Sequence, residues 1–204
     1  MRNQTLARVY SFDIKFRGGK RTTFYRKLFG FTARTTRTAD DGPRTYTHEY
    51  AGVLTSIPHL RLGKSVIAVP LPAAGRLDSF FDDPRWKPME LHVFDAILPA
   101  NERLKAMRET LQRASVRPGI YLEEEMRILE SFPPGAVDSE VQRRIRRVLQ
   151  AADELMRMDW SDGRVFSRDL EARLGRLRSR LQPSNVGDNV TFGYLSGKGT
   201  KKPK

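Results

Sequence analysis

Asp13 is the lone acid in the run VYSFDIKFRGGKRTTFYRKLFGF, residues 9–31. It falls near the end of an alternating apolar segment, where a strand tends to present ligands and catalytic groups. A carboxylate there could hold Mg²⁺ against a phosphodiester and make the chain a metal-dependent nuclease. Such an ion also wants a second carboxylate or a substrate phosphate. Asp40, Asp41 and Asp95 are the available partners, and nothing in the sequence brings them near. The weightier reading is that Asp13 balances Lys15 and Arg17 beside it.

Two other signals for chemistry fall away on spacing. LGKS at 62–65 suggests a phosphate loop, but Pro58 stands where the upstream glycine belongs, and the segment precedes a strand instead of following one. His48, His59 and His92 lie on separate elements, without a second histidine or an acid at zinc-site spacing. No cofactor is expected, with Mg²⁺ at Asp13 as the alternative, and catalysis is not the favoured function.

The stronger pattern is basic residues interleaved with aromatics. Arg17, Lys20, Arg21, Arg26, Lys27, Arg34, Arg37 and Arg44 fall on a loop, a helix surface and a hairpin of one small unit. Such a cluster neutralises phosphates, releases counterions and binds without sequence choice. Phe12, Phe16, Phe24 and Phe29 are expected in the core, while Tyr46 and Tyr50 are the aromatics expected at the surface. A second block lies at Arg143, Arg144, Arg146 and Arg147, opposite an apolar stripe. Arg176, Arg178 and Arg180 follow further on.

The whole composition agrees. The 204 residues carry 37 Lys and Arg against 24 Asp and Glu, a formal charge of +13. An imbalance of that size repels itself unless a polyanion relieves it, which makes nucleic acid the first partner to consider. The excess sits at the two ends: residues 1–50 hold 11 basic and 4 acidic side chains, whereas residues 51–100 hold 5 of each. With no cysteine there is neither a disulfide framework nor a thiolate metal site. The opening residues lack a signal peptide's apolar run, and no segment reaches the ~20 apolar residues of a membrane span. A soluble, cytoplasmic protein is expected.

These side chains need elements to position them. From Arg8 to Arg17 the chain alternates strictly, placing Tyr10, Phe12, Ile14 and Phe16 on one face and Val9, Ser11 and Asp13 on the other. Gly18-Gly19 breaks the strand, and a basic helix runs to Gly30. Residues 31–38 and 44–50 predict a Thr- and Tyr-rich hairpin turning at Asp41-Gly42. GVLTSIP predicts a helical turn, SVIAVPL a strand, RLDSFFDD a helix and MELHVFDAI a last strand. Beyond residue 98 the period becomes helical. Asn101 is the expected N-cap of the first helix, and YLEEEMRILESF forms the second. The third runs over 139–158 with Val141, Ile145, Val148, Ala152 and Leu155 inward, and a fourth over 167–181. The tail 196–204 is expected to be disordered and basic.

YSFDI followed by RTTFYRKLFGF resembles the opening of the small ferredoxin-like domains of CRISPR-associated integration subunits and phenylacetate-pathway repressors. Phe12-Asp13-Ile14, Arg26-Lys27 and Gly30-Phe31 carry the likeness, over residues 9–31 and, in element order, to 96. The resemblance implies a domain that binds duplex nucleic acid or mediates dimers, with the aspartate a metal-ligand candidate. The hairpin and residues 52–70 are longer than that pattern. GRVFSRDLEARLG, 163–175, resembles the start of a helix-turn-helix unit, with Ser167 as a cap, Gly175 at the turn and a recognition helix after it. Otherwise Arg176, Arg178 and Arg180 continue one helix.

The sequence thus predicts an α+β protein: a ferredoxin-like mixed sheet over 1–98, a helical region over 99–195 and a basic tail. The expected function is non-enzymatic, backbone-reading nucleic-acid binding through two arginine-rich faces, DNA ahead of RNA. The alternatives are the Asp13 nuclease and a component of a ribonucleoprotein or replication or repair assembly. A homodimer is an expected partner state, and a membrane is not an expected partner.

Overall fold

The computed structural model describes residues 6–39, 42–133 and 138–181. In chain order its elements are β1 (Leu6–Ile14), α1 (Gly18–Phe29), β2 (Phe31–Ala39), β3 (Gly42–Tyr50), β4 (Leu60–Gly63), β5 (Val66–Pro70), α2 (Ala74–Phe81) and β6 (Met89–Ile97). They are followed by α3 (Ala100–Arg113), a miniature hairpin of β7 (Ser115–Arg117) and β8 (Ile120–Tyr121), α4 (Leu122–Ser131), α5 (Ser139–Arg157) and α6 (Val165–Ser179).

β4, β5, β1 and β6 form one sheet in that spatial order, and every neighbouring pair is antiparallel. The expected mixed sheet is therefore corrected. Strands joined through a helix, β1 to β4 and β5 to β6, do run parallel, but another strand lies between them, so no parallel pair is adjacent. The expected alternation also holds for one face only. Tyr10, Phe12 and Ile14 are buried under α1 and α2, where Phe12 meets Phe24 at 5.6 Å and Phe81 at 5.3 Å. Yet Val9 on the opposite face is buried too, as is its β5 partner Ala68. α3 contacts β4 on that side, so the helical half covers a face that alternation alone assigns to solvent. β6 is an edge strand with Val93, Phe94 and Ile97 exposed.

Buried side chains from before and after residue 98 join one continuous core. α5 buries Val141, Ile145, Val148, Ala152 and Leu155 as its period requires, and the Asp138 carboxylate caps it by accepting from the Val141 amide at 2.8 Å. Two expected caps are corrected. α3 starts after Pro99 with no side-chain cap, so Asn101 lies inside its first turn. Ser167 lies inside α6, where its hydroxyl and amide both donate to Asp159 (2.6 and 2.9 Å). α6 also runs unbroken through Gly175, so the expected helix-turn-helix turn is absent there. Helix propagation costs only about 1 kcal/mol at a single glycine, and burial of Leu170, Leu174 and Leu177 on one stripe offsets it. The expected recognition helix and basic tail lie outside the described residues.

Two arginines, buried Arg103 and half-buried Arg144, tie the helices together. Arg103 donates to the carbonyls of Leu98 and Trp160 and to the Asp162 carboxylate, while the Trp160 indole donates back to the Arg103 carbonyl at 3.1 Å. Arg144 on α5 grips Glu125 on α4 with two bonds of 2.6 and 2.8 Å, and the Glu125 side chain is only 2% exposed. Arg144 holds the Glu125 carboxyl below its ordinary range against the opposing effect of burial. A lowered folded-state value means that the pair's stability is present above the unfolded carboxylate's range and is lost as pH falls through the folded value. We expect Arg144→Met to cost about 3 kcal/mol at neutral pH, because it strands a buried carboxylate. The deficit should shrink as Glu125 protonates at low pH. Urea unfolding of both proteins at neutral and acid pH checks this.

Candidate nucleic-acid interface

α1 ends where the chain must leave the body. Gly30 stands at φ +79°, and its amide donates to the Arg26 carbonyl at 2.8 Å. The next two free carbonyls of the helix, Lys27 and Leu28, accept from the amides of Val53 and Leu54, both at 2.9 Å. Gly52 therefore packs directly on Gly30. A Cβ on Gly52 would lie 2.1 Å from the Gly30 nitrogen, and one on Gly30 would lie 2.7 Å from the Tyr50 carbonyl oxygen. Everything between these glycines projects as a loop closed at its root.

That loop is the β2–β3 ribbon. Among the described residues it pairs only with itself, nine residues to a strand, so it is about 30 Å long. Residues 34–38 and 43–50 are exposed on both faces. Its register sorts the side chains. One face carries Phe31 opposite Tyr50, Ala33 opposite His48, Thr35 opposite Tyr46 and Arg37 opposite Arg44. The other carries Arg34 among threonines, with Thr36 and Thr45 hydroxyls 3.2 Å apart. Phe31 and Tyr50 stack at 4.6 Å and 10°, and Arg26 lies over the Phe31 ring at 4.6 Å. Tyr46 and Tyr50 are exposed, as the sequence predicts.

At the root the ribbon opens into a cleft of about 1020 Å³, walled by α1, the segment after β3, β4, the end of α3 and the β7–β8 hairpin. Arg26, Lys27, Arg61, Arg113 and Arg117 line it, against one carboxylate, Glu49, which accepts from the Tyr121 hydroxyl. That bond raises the Tyr121 phenol above its ordinary range. Arg61 stacks over the Phe29 ring at 3.9 Å. His59 forms part of the wall, 8% exposed, with Nδ1 2.9 Å from the Ile57 carbonyl. Burial lowers its pKa, and the positive charges of Arg113 and Arg61 lower it further, so the ring is neutral at pH 7.

The cations divide sharply by partner. Among the described residues none of the five cleft cations has a carboxylate within ion-pair distance. The C-terminal arginines are mostly engaged. Arg143 meets Glu140, Arg144 meets Glu125, Arg176 meets Glu130 and Arg178 meets Asp153. Arg180 donates to the Leu129 and Glu130 carbonyls, closing the end of α4. Arg146 and Arg147 stay exposed, Arg146 beside Asp153 and Glu154 in a shallow groove.

The remaining sequence candidates scatter. Arg17, Lys20 and Arg21 are exposed at the start of α1, the end away from the cleft, where Lys20 donates to the Lys87 carbonyl at 2.7 Å. Asp13 is exposed and 2.6 Å from the Lys15 ammonium, which also meets Glu90 at 3.2 Å and is held above its ordinary pKa by both. Asp95 is taken by Arg8 at 2.7 Å, and Asp40 and Asp41 lie outside the described residues. Among the described residues no three His, Cys, Asp or Glu side chains gather to hold a metal. LGKS is the β4–β5 turn. No described helix is long and apolar enough to cross a membrane. Sequence reasoning missed Arg61, Arg113, Arg117 and Tyr121, which share no local pattern, and weighed His59 only as a zinc ligand.

Comparison of the chain with protein-family models, with curated proteins and with solved structures gives no match. Because Gly52 and Gly30 leave no room for a side chain, Gly52→Ala must push the segment after the ribbon off α1. We expect a loss of about 3 kcal/mol, and faster amide exchange at Val53 and Leu54, which hydrogen-exchange mass spectrometry would detect.

Proposed function

We propose that the protein binds duplex DNA, with the β2–β3 ribbon as the element that engages it. The observation that carries this is an arm exposed on both faces whose register sets Arg37 directly opposite Arg44, with His48 and Tyr46 behind them. Arg34, Arg37 and Arg44 on a ribbon exposed to solvent suit contacts to the phosphates of a polyanion. The ribbon buries little of its own, so stability of the core does not explain its composition. A two-stranded ribbon fits the ~12 Å major groove of B-form DNA. The deep, narrow major groove of A-form RNA does not admit one, which supports DNA over RNA. Contacts from arginines to phosphates give affinity without fixed sequence choice.

The sheet supports the ferredoxin-like part of the expectation as well. Setting the ribbon aside, the remaining order is strand, helix, two strands, helix, strand. The last strand then lies beside the first, and the first beside the third, all antiparallel, with both helices on one face. On this view the ribbon is an insertion between the first helix and the second sheet strand. The open edge of β6, with Phe94 and Ile97 exposed, supports a homodimer paired along that edge.

The reading is tested by a salt titration of binding to blunt duplex DNA. Each phosphate contact contributes about −0.9 to the slope of log K against log salt. Arg37→Ser with Arg44→Ser is expected to reduce the slope by about 2 and to leave the melting temperature unchanged. Weak binding at moderate salt, or an unchanged slope in the double variant, overturns it. For the dimer, Phe94→Lys is expected to give a monomer by sedimentation equilibrium where the parent protein is a dimer.

A further inference from the structure

The cleft at the root of the ribbon differs in kind from the ribbon itself. A duplex meets a protruding arm from outside, whereas the cleft is concave and bounded by three separate parts of the chain. Its lining alternates flat rings with guanidiniums: Arg61 over Phe29 and Arg26 over Phe31, with Tyr50 and Tyr121 nearby. Aromatic faces and planar cations are what unstacked bases and their phosphates require, and a base inside a duplex cannot present its face to them. A volume of about 1020 Å³ exceeds what one small ligand needs. A duplex about 20 Å wide does not enter such a cleft.

The cleft is also continuous with the arm. Phe31 and Tyr50, the innermost pair on the ribbon face that carries Arg37 and Arg44, are themselves part of the cleft lining. From Arg37 to Phe31 the path along the strand is about 20 Å. A strand leaving the end of a duplex held on that face would reach the cleft within a few nucleotides. Glu49, the one carboxylate in the lining, is held by Tyr121 on the opposite wall, which limits its repulsion of a phosphate.

We infer that this cleft binds the single-stranded overhang of a DNA end whose duplex portion lies on the β2–β3 ribbon. The proposal rests on the ribbon's binding duplex DNA, and the two are separable by experiment. The full chain would be titrated with a blunt duplex and with the same duplex bearing an overhang of about six nucleotides, within the ~4–16 that a single-strand groove covers. The overhang is expected to tighten binding about tenfold, the effect of about one stacked base. A 2-aminopurine in the overhang should lose fluorescence on binding as it stacks.

Arg61→Gln with Arg113→Gln is expected to abolish both the tightening and the quenching while leaving blunt-duplex affinity as it was. Both side chains are exposed, so folding should survive, which a thermal melt verifies. Arg37→Ser with Arg44→Ser should weaken both ligands and preserve their ratio. Equal affinity of the parent protein for the two ligands overturns the inference. So does a cleft variant that weakens both ligands alike, since the cleft is then only more duplex surface. If the ribbon variant leaves blunt-duplex affinity untouched, the ribbon assignment falls instead, and the ratio of the two affinities still judges the cleft.

Discussion

The contact between Gly30 and Gly52 is the constraint on which the exposed half of this protein depends. An α-helix that ends inside a protein must find donors for its last carbonyls, and α1 takes them from Gly30, Val53 and Leu54. Those bonds bring the chain that leaves the helix and the chain that returns to it within a distance no side chain permits. The 21 residues between, 31–51, then have one shape open to them as a paired structure, a ribbon anchored at its base. The same closure holds Phe31 and Tyr50 in register and turns the end of α1, with Arg26 and Lys27, toward the cleft. Arg26 and Lys27 also complement the negative end of the helix dipole there, so their positions serve local stability as well as the charge of the cleft.

The net charge of +13 resolves into two unlike populations. In the helical half, arginines cross between helices and meet carboxylates or helix-end carbonyls, as Arg144 does at Glu125 and Arg180 at the end of α4. Arg143, Arg144, Arg173, Arg176 and Arg178 each meet a carboxylate where they stand. Most of these are surface ion pairs, which contribute little stability, while Arg144 at the buried Glu125 carboxylate is the exception. Around the cleft, arginines lie beside rings, as Arg26 does at Phe31 and Arg61 at Phe29.

Much of the fold was legible in local patterns. The alternation of Tyr10, Phe12 and Ile14, the Thr- and Tyr-rich hairpin and the stripe from Val141 to Leu155 each sit within one element, so a short window reveals them. β4 has four residues, too few for a local window to reveal an alternation. Val9 shows the limit of alternation, since it is buried on the face opposite Tyr10 and no local pattern tells whether a sheet is covered on one side or two. Gly175 looked like a turn because a lone glycine carries no sign of whether leucines on either side share a buried stripe. Of the candidate site, the ribbon arginines were visible as a cluster, but the cleft was not. Arg61, Arg113 and Arg117 come from elements that meet only after the helical half closes over the sheet.

The amino-acid sequence by itself determined the excess of positive charge, the periodic segments and the composition of the arm, because these reside in neighbouring residues. Tertiary structure alone decided which cations are spent and which remain. Arg144 and Glu125 are 19 residues apart, Arg176 and Glu130 are 46, and Tyr121 and Glu49 are 72. Electrostatic pairing acts over a few ångströms in space, and no spacing along the chain encodes it.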